Sequence, residues 1–286
     1  MQAAKLASIG LIAAALVAGT IADRRVPLEP VTLGGYRVLA VDFHTHSSMW
    51  SDGGFTPWGL VLEARHQGLD AIAVTGHNEL FDSRLARRFA RAIGGLPIVI
   101  SGEEVWAGQR FHLIAAGITD VVDFQQSAAH AIEDVHRQGG IAIAAHPFAR
   151  FSPSWDDAAV RALDGGEICH PEIFGRADGQ ARLEAFAARH PMAAVGASDF
   201  HGFGPMGTCR TYVFVTDASE QGILVAVRAH RTVVFGMGDH VYGDPALLQY
   251  APKLRDRAPS SESRGTVLDW VSRIAAVAGF AGLLCF

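Results

Sequence analysis

Lysine is almost missing from this chain: Lys5 and Lys253 stand alone among 24 Lys and Arg residues. The bias toward arginine fits GC-rich coding and implies no function. Cysteine is scarce too. Cys169, Cys209 and Cys285 are odd in number, widely spaced and without a CxxC pair. They point neither to a disulfide framework nor to a structural zinc site, and read as small buried apolar residues. Positive charge is not in excess. A net charge of −5 and a pI near 6.2 provide no general attraction to nucleic-acid phosphates, which argues against a duplex-binding protein. Internal repeats are absent. The Gly-Gly pairs at 53–54, 94–95, 139–140 and 165–166 lack phosphate-loop spacing and read as turn punctuation.

Apolar residues, by contrast, make up 49% of the 286 positions, enough for a single core of roughly 200–250 residues with short appendages. From 36 to 250 two patterns alternate. Short β-type runs fall at 37–43, 71–75, 98–101, 111–116, 141–145, 166–169, 193–197 and 211–215. Helical periodicity lies between most of them, at 58–67, 84–93, 128–138, 181–189 and 220–230. This alternation predicts a parallel sheet flanked by helices, open or closed into a barrel.

The termini are apolar. Residues 6–22 are bounded by Lys5 and by Asp23-Arg24-Arg25, the pattern of a signal peptide cleaved after Ala22 or of an uncleaved membrane anchor within 1–25. Residues 251–266 read as a polar linker. The segment 267–286 is uninterrupted apolar from Ile274 onward, a membrane helix or interfacial anchor. If both segments insert, Arg24, Arg25, Lys253, Arg255, Arg257 and Arg264 lie on the domain side, against Lys5 on the other. The positive-inside rule then favours the cytoplasmic face of a bacterial inner membrane, but the expectation is membrane association alone, with the side of the domain left open. Cleavage of the first segment would instead make the domain periplasmic or secreted.

The 13 histidines are informative because of where they fall. In alternating α/β architectures functional groups collect at the carboxy ends of strands. Here RVLAVDF is followed by His44-Thr45-His46, AIAVT by Gly76-His77-Asn78, and PIVIS by Gly102-Glu103. IAIAA is followed by His146-Pro147, GGEIC by His170, and AAVGA by Ser198-Asp199-Phe200-His201. One histidine after a strand is ordinarily structural; six strand ends carrying His, Asp or Glu are not a coincidence. Such donors suit zinc, iron or manganese, and carboxylates can bridge two ions. The HxH spacing lets His44 and His46 point the same way from an extended segment. His66, His130, His136, His190 and His230, on predicted helices, read as surface or packing residues.

The set V-D-F-H44-T-H46-S, S-D52-G, T-G-H77-N, S-G-E103, F-H112-L, A-H146-P, G-E-I-C-H170 and S-D199-F-H201 resembles the PHP (polymerase and histidinol phosphatase) family in order and spacing, over about residues 38–240. The resemblance implies a distorted (β/α)7 barrel of PHP type and two or three divalent metal ions (Zn, Mn or Fe) that hydrolyse phosphoesters with metal-activated water. It implies three ligand sets: His44, His46, Glu103 and Asp199; then Glu103, His112 and His146, with Glu103 bridging; then Asp52, His77 and His201. Two departures stand out. Gly76 replaces the family's usual aspartate, so that restoring it with Gly76→Asp is expected to raise metal affinity or rate. His170 replaces a frequent asparagine. Arg150, in A-H-P-F-A-R, is the candidate phosphate clamp, and His170 the candidate general acid.

The expected partner is a small phosphorylated substrate, a monoester or diester. An amidohydrolase-like enzyme is the rival reading. That superfamily generally needs a lysine after a middle strand, and none lies between Lys5 and Lys253. A metal-binding module with weakened or no catalysis, tethered to a membrane, is the non-enzymatic alternative.

Overall fold

Runs of aliphatic and β-branched residues, punctuated by glycine and polar turns, build one large sheet. A computed structural model describes residues 2–22, 30–95, 97–147, 155–173, 176, 178–236, 240–255 and 267–285. They fall into two compact units: Glu29–Ala258, and the terminal segments Met1–Leu28 with Pro259–Phe286.

The larger unit contains β1 (Val31–Leu33), β2 (Tyr36–Thr45), β3 (Ala71–Val74), β4 (Ile98–Trp106), β5 (His112–Ala116), β6 (Ile141–Ala144), β7 (Gly165–Cys169), β8 (Ala193–Gly196), β9 (Thr211–Val215), β10 (Thr232–Phe235) and β11 (Val241–Gly243). Along the sheet the order is β11-β10-β9-β2-β3-β4-β5-β6-β7-β8, with β1 added on β2. β8 and β10 meet across the remaining gap, where a Cβ on Gly196 would lie 2.7 Å from Val234 Cγ1. The sheet is thus a nearly closed barrel, distorted as expected.

It is not the all-parallel sheet that the alternation predicts. Parallel ladders join β2–β3–β4 and β6–β7–β8, whereas β4–β5–β6, β2–β9, β9–β10 and β10–β11 are antiparallel. One reason is local. β4 continues to Trp106 and β5 begins at His112, which leaves a connection too short for the crossover of about a dozen residues that parallel pairing needs.

Helices α2 (Pro57–His66), α3 (Phe81–Ala92), α4 (Ala128–Arg137), α5 (Asp157–Ala162), α6 (Gly179–Ala187), α7 (Glu220–Arg228) and α8 (Ala251–Arg255) cover the strands. Four start on side-chain caps, in which Thr56, Ser127, Asp156 and Ser219 accept the backbone N–H three residues on. α8 buries Ala251 and Leu254 in the barrel unit, so the expected linker at 251–266 does not begin before 256. Residues 256–266 lie outside the described residues.

Side chains alternate between two faces. Leu39, Val41, Phe43, Ile100, Ile114, Ile143, Val195 and Val213 share one cluster, with Ile223 and Val227 of α7 packed into it. On the other face Val38, Ala40, Ile72 and Val74 meet Leu60, Val61 and Ala86 of α2 and α3. Leu113, Ala142 and Ala144 meet Ile132 and Val135 of α4.

In the terminal unit α1 (Gln2–Ala22) and α9 (Val267–Cys285) pack on each other. Among the described residues α1 is the one helix long and apolar enough to cross a membrane, over Gln2–Gly19; the apolar part of α9, Trp270–Cys285, is shorter.

Candidate metal centre

The site is assembled where β2, β3, β6, β7 and β8 end and along β4 and β5. Thr45, between the first two histidines, is fixed by donating Oγ1–H to the Ala73 carbonyl at 2.7 Å and its backbone N–H to Thr75 Oγ1. The rings of His44 and His46 therefore stand side by side, centroids 4.9 Å apart. The segment after β8 is latched to them, His46 N–H to the Phe200 carbonyl at 2.9 Å, and it carries Asp199 and His201 inward. Asn78 clamps the end of β4 by bonding both the N–H and the carbonyl of Trp106. His146 and Asp199 adopt left-handed backbone conformations, φ 28° and 49°, of a kind that costs ~1–3 kcal/mol each outside glycine. The donation of His146 N–H to Glu167 Oε2 at 2.6 Å helps hold the first of these.

Glu104 lies at the centre. Its Oε1 is 2.7 Å from His112 Nδ1 and 3.3 Å from His146 Nε2. Its Oε2 is 3.1 Å from His77 Nδ1, 3.2 Å from His44 Nε2 and 3.4 Å from His46 Nε2. Asp199 Oδ1 closes the other side, 3.2 Å from His44 Nε2 and 3.1 Å from His46 Nε2. Beyond His46, the more exposed Asp52 reaches His201 Nε2 at 3.2 Å, His77 Nε2 at 3.4 Å and His46 Nδ1 at 3.5 Å. Five potential ion-holding groups overlap here: His44, His46 and Glu104; Glu104, His112 and His146; His46, Asp52, His77 and His201; His44, His146 and Asp199; and His44, Glu167 and His170.

Outer hydrogen bonds fix which ring nitrogens face inward. His44 Nδ1–H donates to Glu167 Oε1 at 2.9 Å, which turns Nε2 toward Glu104 and Asp199. His112 Nε2 lies 3.2 Å from the Gly108 carbonyl, which turns Nδ1 toward Glu104, and His201 Nδ1–H donates to the Asp199 carbonyl at 2.8 Å. Carboxylate or carbonyl acceptors behind histidines are the usual way a metal ligand's tautomer and orientation are set. His170 is turned the other way. Its Nδ1 accepts the Glu172 N–H at 3.2 Å, so the proton is on Nε2, 3.6 Å from Asp199 Oδ2.

The structure corrects one expected ligand. Glu103 faces away from the cluster: Oε1 accepts the Val122 N–H at 2.6 Å and Oε2 is buried without a hydrogen-bond partner. The cause is strand parity. β4 is continuous through both glutamates, so 104 shares a face with Ile100 while 103 shares one with Val105. Glu104 therefore lies among the histidines, in the place expected of Glu103. Glu167 and Asp42 also support the site, and the sequence pattern does not single them out. Glu167 lies within β7 rather than at its end; Asp42 accepts the Ser198, His44 and Gly207 N–H groups and ties β2 to the segment around β8. His44, His46, Asp52, His77, His112, His146, His170, Asp199 and His201 are brought together. Arg150 lies outside the described residues. His130 and His136 lie elsewhere, the latter 2.8 Å from Asp164.

Burial opposes charge on every group here, and the outcome separates acids from bases. For Glu104 and Asp199 burial is outweighed by the histidines, His44 above all, and both carboxyls are held well below the usual range. Burial likewise yields to Asp199, Glu104 and Glu167 around His44, whose pKa is well above that of a free imidazole, whereas burial wins at His46 and lowers it. The carboxylates are thus held ionised by the positive charge that they in turn draw onto His44, a charge that a bound cation would replace. His44 Nε2, His46 Nε2, His77 Nδ1, Glu104 Oε1 and Asp199 Oδ1 are buried, converge, and satisfy no hydrogen-bond geometry with one another. Buried charges persist when paired or metal-bound, and this imidazole–carboxylate donor set fits divalent transition ions.

No family model matches the chain. An uncharacterized protein of Methanocaldococcus jannaschii is 24% identical over 141 residues, 46% of this chain and 81% of that one. Among solved structures, a two-domain protein of Bacteroides vulgatus containing a predicted PHP-like metal-dependent phosphoesterase superposes with a TM-score of 0.63 at 24% identity, covering 79% of this chain and 72% of that chain. PsfC of Pseudomonas syringae superposes with a TM-score of 0.50 at 18% identity, over 77% of this chain and 98% of its own.

Proposed function

We propose that this chain, which has the fold of PHP-like phosphoesterases, is a metal-dependent hydrolase that cleaves phosphoesters of small molecules. The observation that carries the reading is the Glu104 carboxylate, one oxygen among His112 and His146 and the other among His44, His46 and His77. That is the arrangement a bridging ligand between two ions requires. His44, His46 and Asp199 would complete one site, His112 and His146 the second, and Asp52, His77 and His201 a third. Ions held by these residues would lower the pKa of water and neutralise charge on phosphoryl oxygens.

The chain's own residues do the rest. Glu167 keeps His44 Nε2 aimed inward by holding the opposite ring proton. His170, with its proton on Nε2 beside Asp199, is the group that would protonate a leaving-group oxygen. Trp106, 45% exposed at the end of β4, lies 5.0 Å from His77 and 6.1 Å from His112 between ring centroids, and offers a flat apolar face beside the proposed reacting centre. Trp106→Ala is expected to raise KM for an aryl or nucleoside phosphate roughly ten-fold, the scale of one lost aromatic stack, and to leave KM for a small alkyl phosphate nearly unchanged. Equal loss on both substrates would remove Trp106 from the binding surface.

The test of the function is metal analysis of the purified full chain together with turnover on phosphomonoesters, phosphodiesters and amides under added manganese, zinc or iron. Metal-dependent release of phosphate supports the reading. Tight metal binding without turnover on any ester indicates a binding module, and amide cleavage alone indicates the amidohydrolase chemistry.

A further inference from the structure

The terminal pair of helices has its large and small side chains arranged in the reverse of a water-soluble helix pair. Ser272 of α9 donates Oγ–H to the Ala15 carbonyl of α1 at 2.8 Å. A Cβ on Gly19 would lie 3.0 Å from Ser272 Oγ; one on Gly279 would lie 2.7 Å from Ile12 Cγ1 and 2.8 Å from the Ser8 carbonyl; one on Gly282 would meet Ser8 Oγ. Late positions of α1 thus meet early positions of α9 and the reverse, so the helices are antiparallel. The seam positions of α1, residues 8, 12, 15 and 19, follow the alternating four- and three-residue spacing of a heptad. In water that seam would carry leucines and isoleucines throughout; here Ser8, Ala15 and Gly279 are its buried members, and Ile12 is the one large side chain among the four α1 positions. The large apolar side chains point outward instead: Leu6, Leu16, Val17, Ile274, Val277 and Leu284 are each between 60% and 89% exposed. Small residues inside and large apolar ones outside is the pattern of helices that associate within lipid, where close backbone approach replaces the hydrophobic drive.

Length and charge agree with that solvent. The 21 residues of α1 extend about 31 Å, the thickness of a bilayer core. The apolar part of α9 is shorter, a mismatch that tilting or local thinning accommodates. Lys5 lies one turn inside the amino end of α1, where its stem can snorkel. At the other end of the pair Arg273 lies over the Trp270 ring at 5.4 Å, an aromatic and a cation at the level where membrane interfaces favour both. Beyond this end the sequence carries Arg24, Arg25 and Arg264, charges that suit anionic headgroups.

We propose that α1 and α9 form an antiparallel two-helix hairpin that inserts into a lipid bilayer, so that the barrel unit is tethered through both of its flanking segments. This does not depend on the reading of the metal centre. The test uses the full chain carrying Ala15→Cys and Ser272→Cys, expressed in bacteria and also reconstituted into vesicles of phosphatidylethanolamine and phosphatidylglycerol. The expected result is a chain that keeps residues 2–22, floats with the vesicles, resists alkaline extraction, and forms an intramolecular cross-link on oxidation. Adding Gly279→Leu should sharply reduce the cross-link without releasing the protein, since the apolar surface remains. Recovery in the soluble fraction, removal of the first segment by processing, or cross-links formed only between copies would each overturn the hairpin.

Discussion

Glu104→Gln is expected to strip the centre of metal and to abolish measurable hydrolysis, whereas Glu103→Gln leaves both intact. The neutral amide at 104 keeps the shape but removes the one carboxylate whose two oxygens face five imidazoles. A bridging ligand lost from two sites at once should cost at least the ~100-fold reached by a single supporting residue. The control at 103 has its own signature. Burial pushes the Glu103 carboxyl up to about 8 from an ordinary 4.5, only partly offset by the Val122 N–H. The folded protein holds this proton more tightly than the unfolded chain. Its contribution to stability is therefore complete below pH 4.5, declines above it, and is lost as pH rises through about 8. Glu103→Gln abolishes that dependence, and the variant should unfold later than the parent at pH 9, by an amount on the order of a few kcal/mol. Metal content by elemental analysis, turnover, and denaturant melts at two pH values separate the two residues. A Glu103→Gln protein that loses metal while Glu104→Gln retains it would reverse the assignment.

The pair also shows what the sequence leaves open. Histidines and acids at strand ends are legible because a strand, its end and the loop beyond it announce themselves in the pattern; His44, His46, His77, His146, Asp199 and His201 follow directly. Two adjacent glutamates in S-G-E-E do not disclose which one faces the site. That depends on whether the strand stops at Ser101 or continues to Trp106, and both faces of this strand are buried, so hydrophobic alternation provides no phase. A short connection before His112 was the available signal, since it implies a hairpin and hence a longer β4. Glu167 was hidden for a different reason. It sits inside a strand where an acid looks anomalous, and only the fold reveals that it backs His44. Barrel closure and the antiparallel turns of the sheet likewise depend on contacts between distant segments, such as Val234 over Gly196.

Gly76→Asp is expected to lower metal content and turnover roughly 10–100-fold, the opposite of what the resemblance alone suggests. The missing aspartate leaves no gap. A Cβ on Gly76 would lie 2.2 Å from Glu79 Oε1 and 3.2 Å from Ser51 Cβ, so the Glu79 carboxylate already fills the space. It cannot withdraw freely. Its Oε2 accepts the Phe81 N–H at 2.5 Å and the Asp82 N–H at 3.1 Å at the start of α3, and moving it would leave those donors unpaired. A second carboxylate beside it adds like charge next to a group whose pKa burial has already raised. Ser51 is the route to the metals, since its Oγ lies 3.3 Å from His46 Nδ1, and displacing it turns a ligand ring. The double variant Gly76→Asp with Glu79→Ala removes the collision and should recover part of the loss, a coupling that a purely additive defect would not show. A single Gly76→Asp variant with tighter metal binding than the parent would mean that Glu79 is free to yield, and that the acid at 79 does not stand in for the one absent at 76.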